Sequence, residues 1–142
     1  MIIHQLTVFL ENESGRLTEV TRILAENNIN ISAFSIAETA DYGILRMIVS
    51  NPEIAVEKLK ERQFSVNLTE VICMIVPHEP GGLSKALSIL SGAGLSIEYM
   101  YAFAVSENKA TVVLRTDDPK KAIKVLQEHK LELIKASDIY EL

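Results

Sequence analysis

Few side chains in this sequence are equipped for acid–base, nucleophilic or metal chemistry, and their spacing argues against each. There are three histidines, His4, His78 and His129, and one cysteine, Cys73. Histidine metal sites need pairs at helical or strand spacing, as in His-Glu-x-x-His, and no such pair occurs. His129 sits among Gln127, Glu128 and Lys130 at the end of a helical stretch and reads as solvated. His4 begins what reads as an edge-forming strand. A lone cysteine makes no intrachain disulfide and supplies no thiolate metal site. Between Ile72 and Met74, it reads as a buried, inert thiol. Gly92-Ala93-Gly94 imitates part of a dinucleotide fingerprint, but it follows a helix and precedes a strand, the reverse of the required order. Paired carboxylates, a Ser-His-Asp order and a Walker loop are all lacking. No catalytic residue, no metal and no cofactor are therefore expected.

Two loops offer binding chemistry instead. One is Glu11-Asn12-Glu13-Ser14-Gly15-Arg16 and the other Pro77-His78-Glu79-Pro80-Gly81-Gly82. Each leads into a helix, whose first N–H groups lack internal partners and carry a partial positive charge. A small carboxylate set there can accept several backbone hydrogen bonds. Glycine at 15 or 81 lets the backbone come close. The Asn12 amide oxygen can accept from an α-ammonium group, and Asn30, opening the next strand, can add a second such contact. A loop that reads both charges reads a free amino acid. The plainer alternative stays open at this point, because Asn12 and Ser14 are also ordinary helix N-caps.

The elements that position these loops come as a repeat. Gly15 matches Gly81 and Leu17 matches Leu83, 66 residues on, and the segments around them align without a gap. Leu17, Val20, Ile23 and Leu24 fall on Leu83, Ala86, Ile89 and Leu90, one apolar helix face in each half. From Pro52 and Pro119 onward the offset is 67, and the extra residue is expected in the turn near Asp41 and Asn108. Within a half, His4–Leu10 alternates as a strand and a helix runs from about Gly15 to Glu26. Asn27 and Asn28, or Gly92 and Gly94, end that helix in the left-handed conformation. Strands follow at about 30–38 and 43–50, then a helix opened by Pro52, then a strand near Val66. Ser65–Val76 reads as unbroken strand material. The fold class is thus α+β: two tandem ferredoxin-like βαββαβ modules, antiparallel sheets with helices on one face, at 1–69 and 70–142. Modules of about 70 residues have marginal cores, so packing between modules or chains is expected.

The 142 residues are 48% hydrophobic and 23% charged, with a net charge of -5. Scattered cations on an acidic chain suit neither nucleic acid nor an anionic membrane surface. No apolar run approaches the roughly 20 residues that span a bilayer. The start, Met1 to Asn12, reads as a strand and not a signal peptide. A cytoplasmic location fits.

Taken together these residues resemble the ACT domain family, twice over and across essentially the whole chain. That family's pattern is a strand, an Asn-x-Pro-Gly-x-Leu type loop, a helix, and Asn or a small residue followed by Ile. The first half offers Asn12-Glu13-Ser14-Gly15-Arg16-Leu17 and later Asn30-Ile31, with Ser14 in the usual proline position. The second offers His78-Glu79-Pro80-Gly81-Gly82-Leu83, with His78 in place of asparagine and Ser96 in place of Asn30. The resemblance implies a non-catalytic regulator, homodimeric, that binds a small free amino acid at an interface between modules and signals to an enzyme of amino-acid metabolism. It implies a first-choice site at Asn12, Glu13, Ser14, Gly15, Arg16 and Leu17 with Asn30, Ile31 and Ser32. Asn12 and Asn30 match effector-holding positions in the serine-inhibited dehydrogenases of that family. The second-choice site is His78, Glu79, Pro80, Gly81, Gly82 and Leu83 with Ser96 and Glu98. Ala33, Ser35 and Ala37 correspond to Tyr99, Tyr101 and Phe103, a contrast that leaves room for ligand beside the small residues or simply reflects core and interface packing. Two other functions remain open: a ligand-free structural or regulatory subunit, and a small hydrolase, since this fold hosts several.

Overall fold

A computed structural model describes residues 1–11, 14–38 and 41–140 of the 142. The elements run β1 (Ile3–Glu11), α1 (Arg16–Glu26), β2 (Ile31–Glu38), β3 (Tyr42–Val49), α2 (Pro52–Glu61) and β4 (Ser65–Pro77). They continue as α3 (Gly82–Gly92), β5 (Ile97–Val105), β6 (Lys109–Thr116), α4 (Pro119–Glu128), β7 (Glu132–Leu133) and α5 (Ala136–Tyr140). The chain makes two compact units. One holds His4–Thr69 with Ile139 and Tyr140, and the other holds Met1–Ile3 with Glu70–Asp138. Each is a βαββαβ module.

In the first unit the strand order is β2-β3-β1-β4, with β3 antiparallel to both β1 and β2. Alternation along β1 sends Leu6, Val8 and Leu10 to one face. Val20, Ile23 and Leu24 of α1 and Ala55 and Leu59 of α2 close over that face, joined by Leu45, Met47 and Phe64. Burying each large aliphatic side chain contributes about 1.5–3 kcal/mol. On the other face the buried Gln5 donates to Thr7 Oγ1 at 3.1 Å, and Thr7 shares a 2.9 Å hydrogen bond with Thr69. The first strand lies between β3 and β4 rather than at an edge, contrary to the expectation for His4. The backbone N–H of His4 donates instead to the Tyr140 hydroxyl at 2.8 Å.

The second unit repeats the order as β5-β6-β4-β7, all pairs antiparallel. Its core gathers Ile72, Met74 and Val76 of β4, Ala86 and Leu90 of α3, Val112 and Leu114 of β6, and Ala122 and Leu126 of α4. The caps repeat as well. Asn51 Oδ1 accepts from the Ile54 amide and Asp118 Oδ1 from the Lys121 amide, each with proline next in the chain. Gln63 and Lys130 both take positive φ, 66° and 61°, where the chain leaves α2 and α4.

Three local expectations change. At the ends of α1 and α3 only the second residue of each expected pair, Asn28 and Gly94, is left-handed, while Asn27 is the C-cap of α1 and Gly92 is the last residue of α3. The additional residue of the second half is Phe103 in β5, where the pairing shifts between Ala102 and Ala104, and not the turn at Asn108. A bulge absorbs one residue while the flanking ladder keeps its register. Ala37 therefore corresponds to Ala104. The last strand of the second unit is also only two residues long, and the chain then forms α5, which alternation did not announce.

β4 carries both units on one strand. Val66 and Leu68 enter the first core and Ile72, Met74 and Val76 the second, all at even positions, with exposed Glu70 between them. The odd-numbered Cys73 is fully buried, and burial pushes its thiol up to about 12. A thiol that keeps its proton this firmly is a poor nucleophile. At about pH 8, thiol reagents are expected to label Cys73 only as fast as the protein unfolds. Labelling of the native protein at the rate of a free thiol would contradict that burial.

Candidate functional site

The two strand-to-helix loops have the same backbone. Gly15 has φ 89° and ψ −7°, Gly81 has φ 86° and ψ −9°, and among the described residues neither α1 nor α3 has a side-chain cap. Positive φ is what these positions demand of glycine, since a side chain there meets nothing within 4 Å. The space beside both glycines is open. Asn12 and Glu13 lie outside the described residues. Ser14 is exposed and makes no cap to α1. In the second loop the Gly82 amide is already engaged, donating to the Glu79 carbonyl at 3.0 Å. The expectation of a wholly unpaired first turn is corrected there: the loop folds back tightly enough to use that amide itself.

Register decides which candidate residues meet. Glu11 pairs with Tyr42, beside the Glu38 end of β2, whereas Ile31 pairs with Val49 at the other end. Within one module Asn30 therefore sits at the end of α1 far from Gly15, a helix length of about 16 Å. Its backbone N–H takes the Ser50 hydroxyl at 2.9 Å. Ser96 is placed likewise, its N–H donating to Asp117 Oδ1 at 3.0 Å. Glu98 pairs with Arg115 at 3.3 Å. Leu17 and Ile31 do come together, lining an apolar cavity of about 250 Å³ with Phe34 and Ile36. Leu83 and Ile97 meet in the same way in the second module. Ser32 is half-buried at the start of β2.

The loops differ in what surrounds them. In the first unit Arg16 lies over the Phe64 ring, 4.0 Å from its centroid, and its Nη1 donates to Glu19 Oε2 at 3.3 Å. In the second, Pro77, Glu79, Pro80, Gly81 and Gly82 form one wall of a cleft of about 550 Å³. Lys85 of α3, Asn108 of the β5–β6 turn, Lys109 at the start of β6, and the His129–Glu132 segment complete it. His78 is not part of its lining, and its N–H donates to the Asn108 carbonyl at 2.9 Å. Reading the sequence passed over Lys85, Lys109 and Lys130. Their signal was available in the repeat, because Glu19, Tyr42 and Gln63 hold the matching positions in the first half.

The chain matches the family described as the ACT domain pair over residues 1–142. Among solved structures it is similar to protein BT0572 from Bacteroides thetaiotaomicron, 54% identical over 100% of this chain and 98% of that one, with a TM-score of 0.95. The regulatory subunit of aspartate kinase from Thermus thermophilus, in its ligand-free form, is 15% identical, with 89% of this chain and 93% of that one covered and a TM-score of 0.61. The corresponding subunit from Thermus flavus gives 14%, 90%, 93% and 0.62. At those two identities the likeness is one of fold. Among curated proteins, none matches.

Two outcomes follow from the loop geometry. A Cβ on Gly82 would overlap the Pro77 carbonyl oxygen. Gly82→Ala is expected to destabilise by about 2 kcal/mol or more through overpacking. Gly15→Ala has space and suffers only the positive φ, about 1–2 kcal/mol. Urea midpoints that rank the pair the other way would contradict this geometry. Asp117 is held below its ordinary value of 3.8, first by the Ser96 amide and then by the Thr116 hydroxyl. Its folded value being the lower one, its contribution is complete above the unfolded value and disappears as pH falls through the folded one. An NMR titration should place its midpoint under 3.8, and Asp117→Asn should flatten the acid limb of stability.

Proposed function

We propose that this chain, which belongs to the ACT domain family and spans a pair of its modules, is a non-catalytic sensor of a small free amino acid. The observation that carries the reading is the twin strand-to-helix junction. Gly15 and Gly81 start α1 and α3 in the same left-handed conformation, without a side-chain cap among the described residues and with open space beside them. Such a junction presents main-chain donors and a positive dipole end to a carboxylate. The candidate contacts are Asn12 to Leu17 in the module of residues 1–69 and His78 to Leu83 in that of 70–142. Ile31 already shares a cavity with Leu17, whereas Asn30, Ser32, Ser96 and Glu98 lie towards the far strand ends and take part only if another module brings them to a loop. That geometry gives a homodimer a functional reason.

The output is a change in packing that a partner enzyme reads, which requires the ligand to prefer one arrangement. Support for a partner comes from the aspartate kinase regulatory subunits, whose fold this chain shares over nearly their full length. The apolar cavity under Leu17 and Ile31 offers a place for a side chain beside the carboxylate cradle. A cytoplasmic location suits a sensor of free amino acids.

Thermal unfolding and calorimetric titration against the common amino acids test the proposal. An effector at a hundredfold its dissociation constant should add about 2.7 kcal/mol of stability. If no amino acid raises the melting temperature or releases heat, the sensor reading fails.

A further inference from the structure

The two modules share a backbone but differ at one end, and that difference assigns them unequal roles. In the second unit, Gly82, Lys85 and Leu131 all line the open cleft of about 550 Å³. The residues at the matching positions of the first unit are Arg16, Glu19 and Phe64. Arg16 joins the other two, stacking on Phe64 and pairing with Glu19. The first module thus fills with its own arginine the place that the second leaves vacant, and its arginine supplies both a cation and a flat apolar stem.

We infer that the second-module cleft binds a small organic acid with an apolar body, and that Arg16 occupies the equivalent place in the first module as a built-in stand-in. The inference rests on the sensor reading and narrows it to one module and one ligand class. Substitution has changed the charge of the rim in the required direction. Lys85 replaces Glu19, Lys109 replaces Tyr42 and Lys130 replaces Gln63. Of these, Lys109 is paired with Glu132 at 3.5 Å and both are well exposed, which leaves Lys85 and Lys130 to meet a carboxylate. Glu79, also on the wall, faces an α-ammonium group where the ligand carries one. Apolar residues Val76, Ile89 and Leu131 are among the cleft lining. A pocket of this kind orients its ligand by a few polar groups and gains affinity from the apolar body. Gly82 cannot carry the arginine of the first module without rearrangement, since a Cβ there would strike the Pro77 carbonyl.

Leucine and 4-methyl-2-oxopentanoate share a branched body and a carboxylate and differ in the ammonium group, so they are the probes. Each is titrated calorimetrically into the full chain, and amide shifts are followed by NMR. The expected result is binding of at least one probe with shifts centred on Gly81, Lys85 and Lys130. Lys85→Glu, on an exposed position that restores the charge of Glu19, should weaken it more than tenfold, the loss of a charge-assisted contact. Lys124→Glu makes the same charge change on α4 away from the cleft lining and should stay within twofold. Binding of both probes identifies carboxylate and body as the recognised parts. Binding of leucine alone adds the ammonium–Glu79 contact, and binding of the oxo acid alone excludes it. The inference is overturned if neither probe binds, if Lys85→Glu and Lys124→Glu weaken binding equally, or if the shifts centre on Gly15 and Leu17. In that last case the sensor reading stands and only the assignment to the second module falls. If the oxo acid binds at the cleft while no amino acid binds anywhere, the cleft stands and the sensor reading falls.

Discussion

The geometry of each module turns on one backbone torsion. With φ near 90°, Gly15 and Gly81 turn the strand-to-helix loop into the first turn of α1 and α3. L-amino acids with a Cβ are disfavoured there by steric contact with the backbone. The bend fixes the direction in which α1 and α3 cross their sheets, and so which of their faces meets the strands. Val20, Ile23 and Leu24, or Ala86 and Leu90, are then the residues presented to the core. The same glycine has no side chain with which to cap the helix, so the proposed carboxylate cradle would arise from the residue that the turn itself requires.

Duplication has kept this frame and varied what surrounds it. Caps, left-handed helix ends and strand pairings recur almost residue for residue, whereas the end of the module near the glycine loop has diverged. Arg16 on Phe64 is a packed cation–π contact, worth about 0.5–2 kcal/mol according to its desolvation. Gly82 beside Leu131 forgoes that contribution. A module that surrenders a stabilising contact at the very end where its partner module keeps one has been shaped by something besides stability. Some core positions retain the same residue, as Leu24 with Leu90 and Leu59 with Leu126 illustrate.

Much of this architecture was legible in the sequence because it depends on short-range patterns. Alternation marked the strands, a 3.6 period marked the helices, and internal repetition checked one half against the other. The failures have physical causes. Phe103 was read as aligned with Ala37 because a bulge is invisible to composition; only the hydrogen-bond ladder shows that two residues face one. Asn30 was grouped with the Asn12 loop on its amide chemistry and on the family pattern, and the sequence does not say that within one module strand register puts Asn30 at the far end of α1 from Gly15. The lysine-rimmed cleft was missed because its walls come from α3, the β5–β6 turn and the end of α4, which converge only after folding. The family resemblance supplied the class of protein, and the fold supplied the reason that its two halves are unequal.

The thirteen-residue strand β4 has an evolutionary corollary. Its even-numbered side chains serve one core before Glu70 and another after it, so parity must be conserved along its whole length. A single inserted or deleted codon anywhere within it would turn one half inside out relative to the other, while a two-codon change would preserve the phase. Lineages descended from this duplication should therefore show length variation in this segment only in steps of two, or else a compensating bulge beside Glu70.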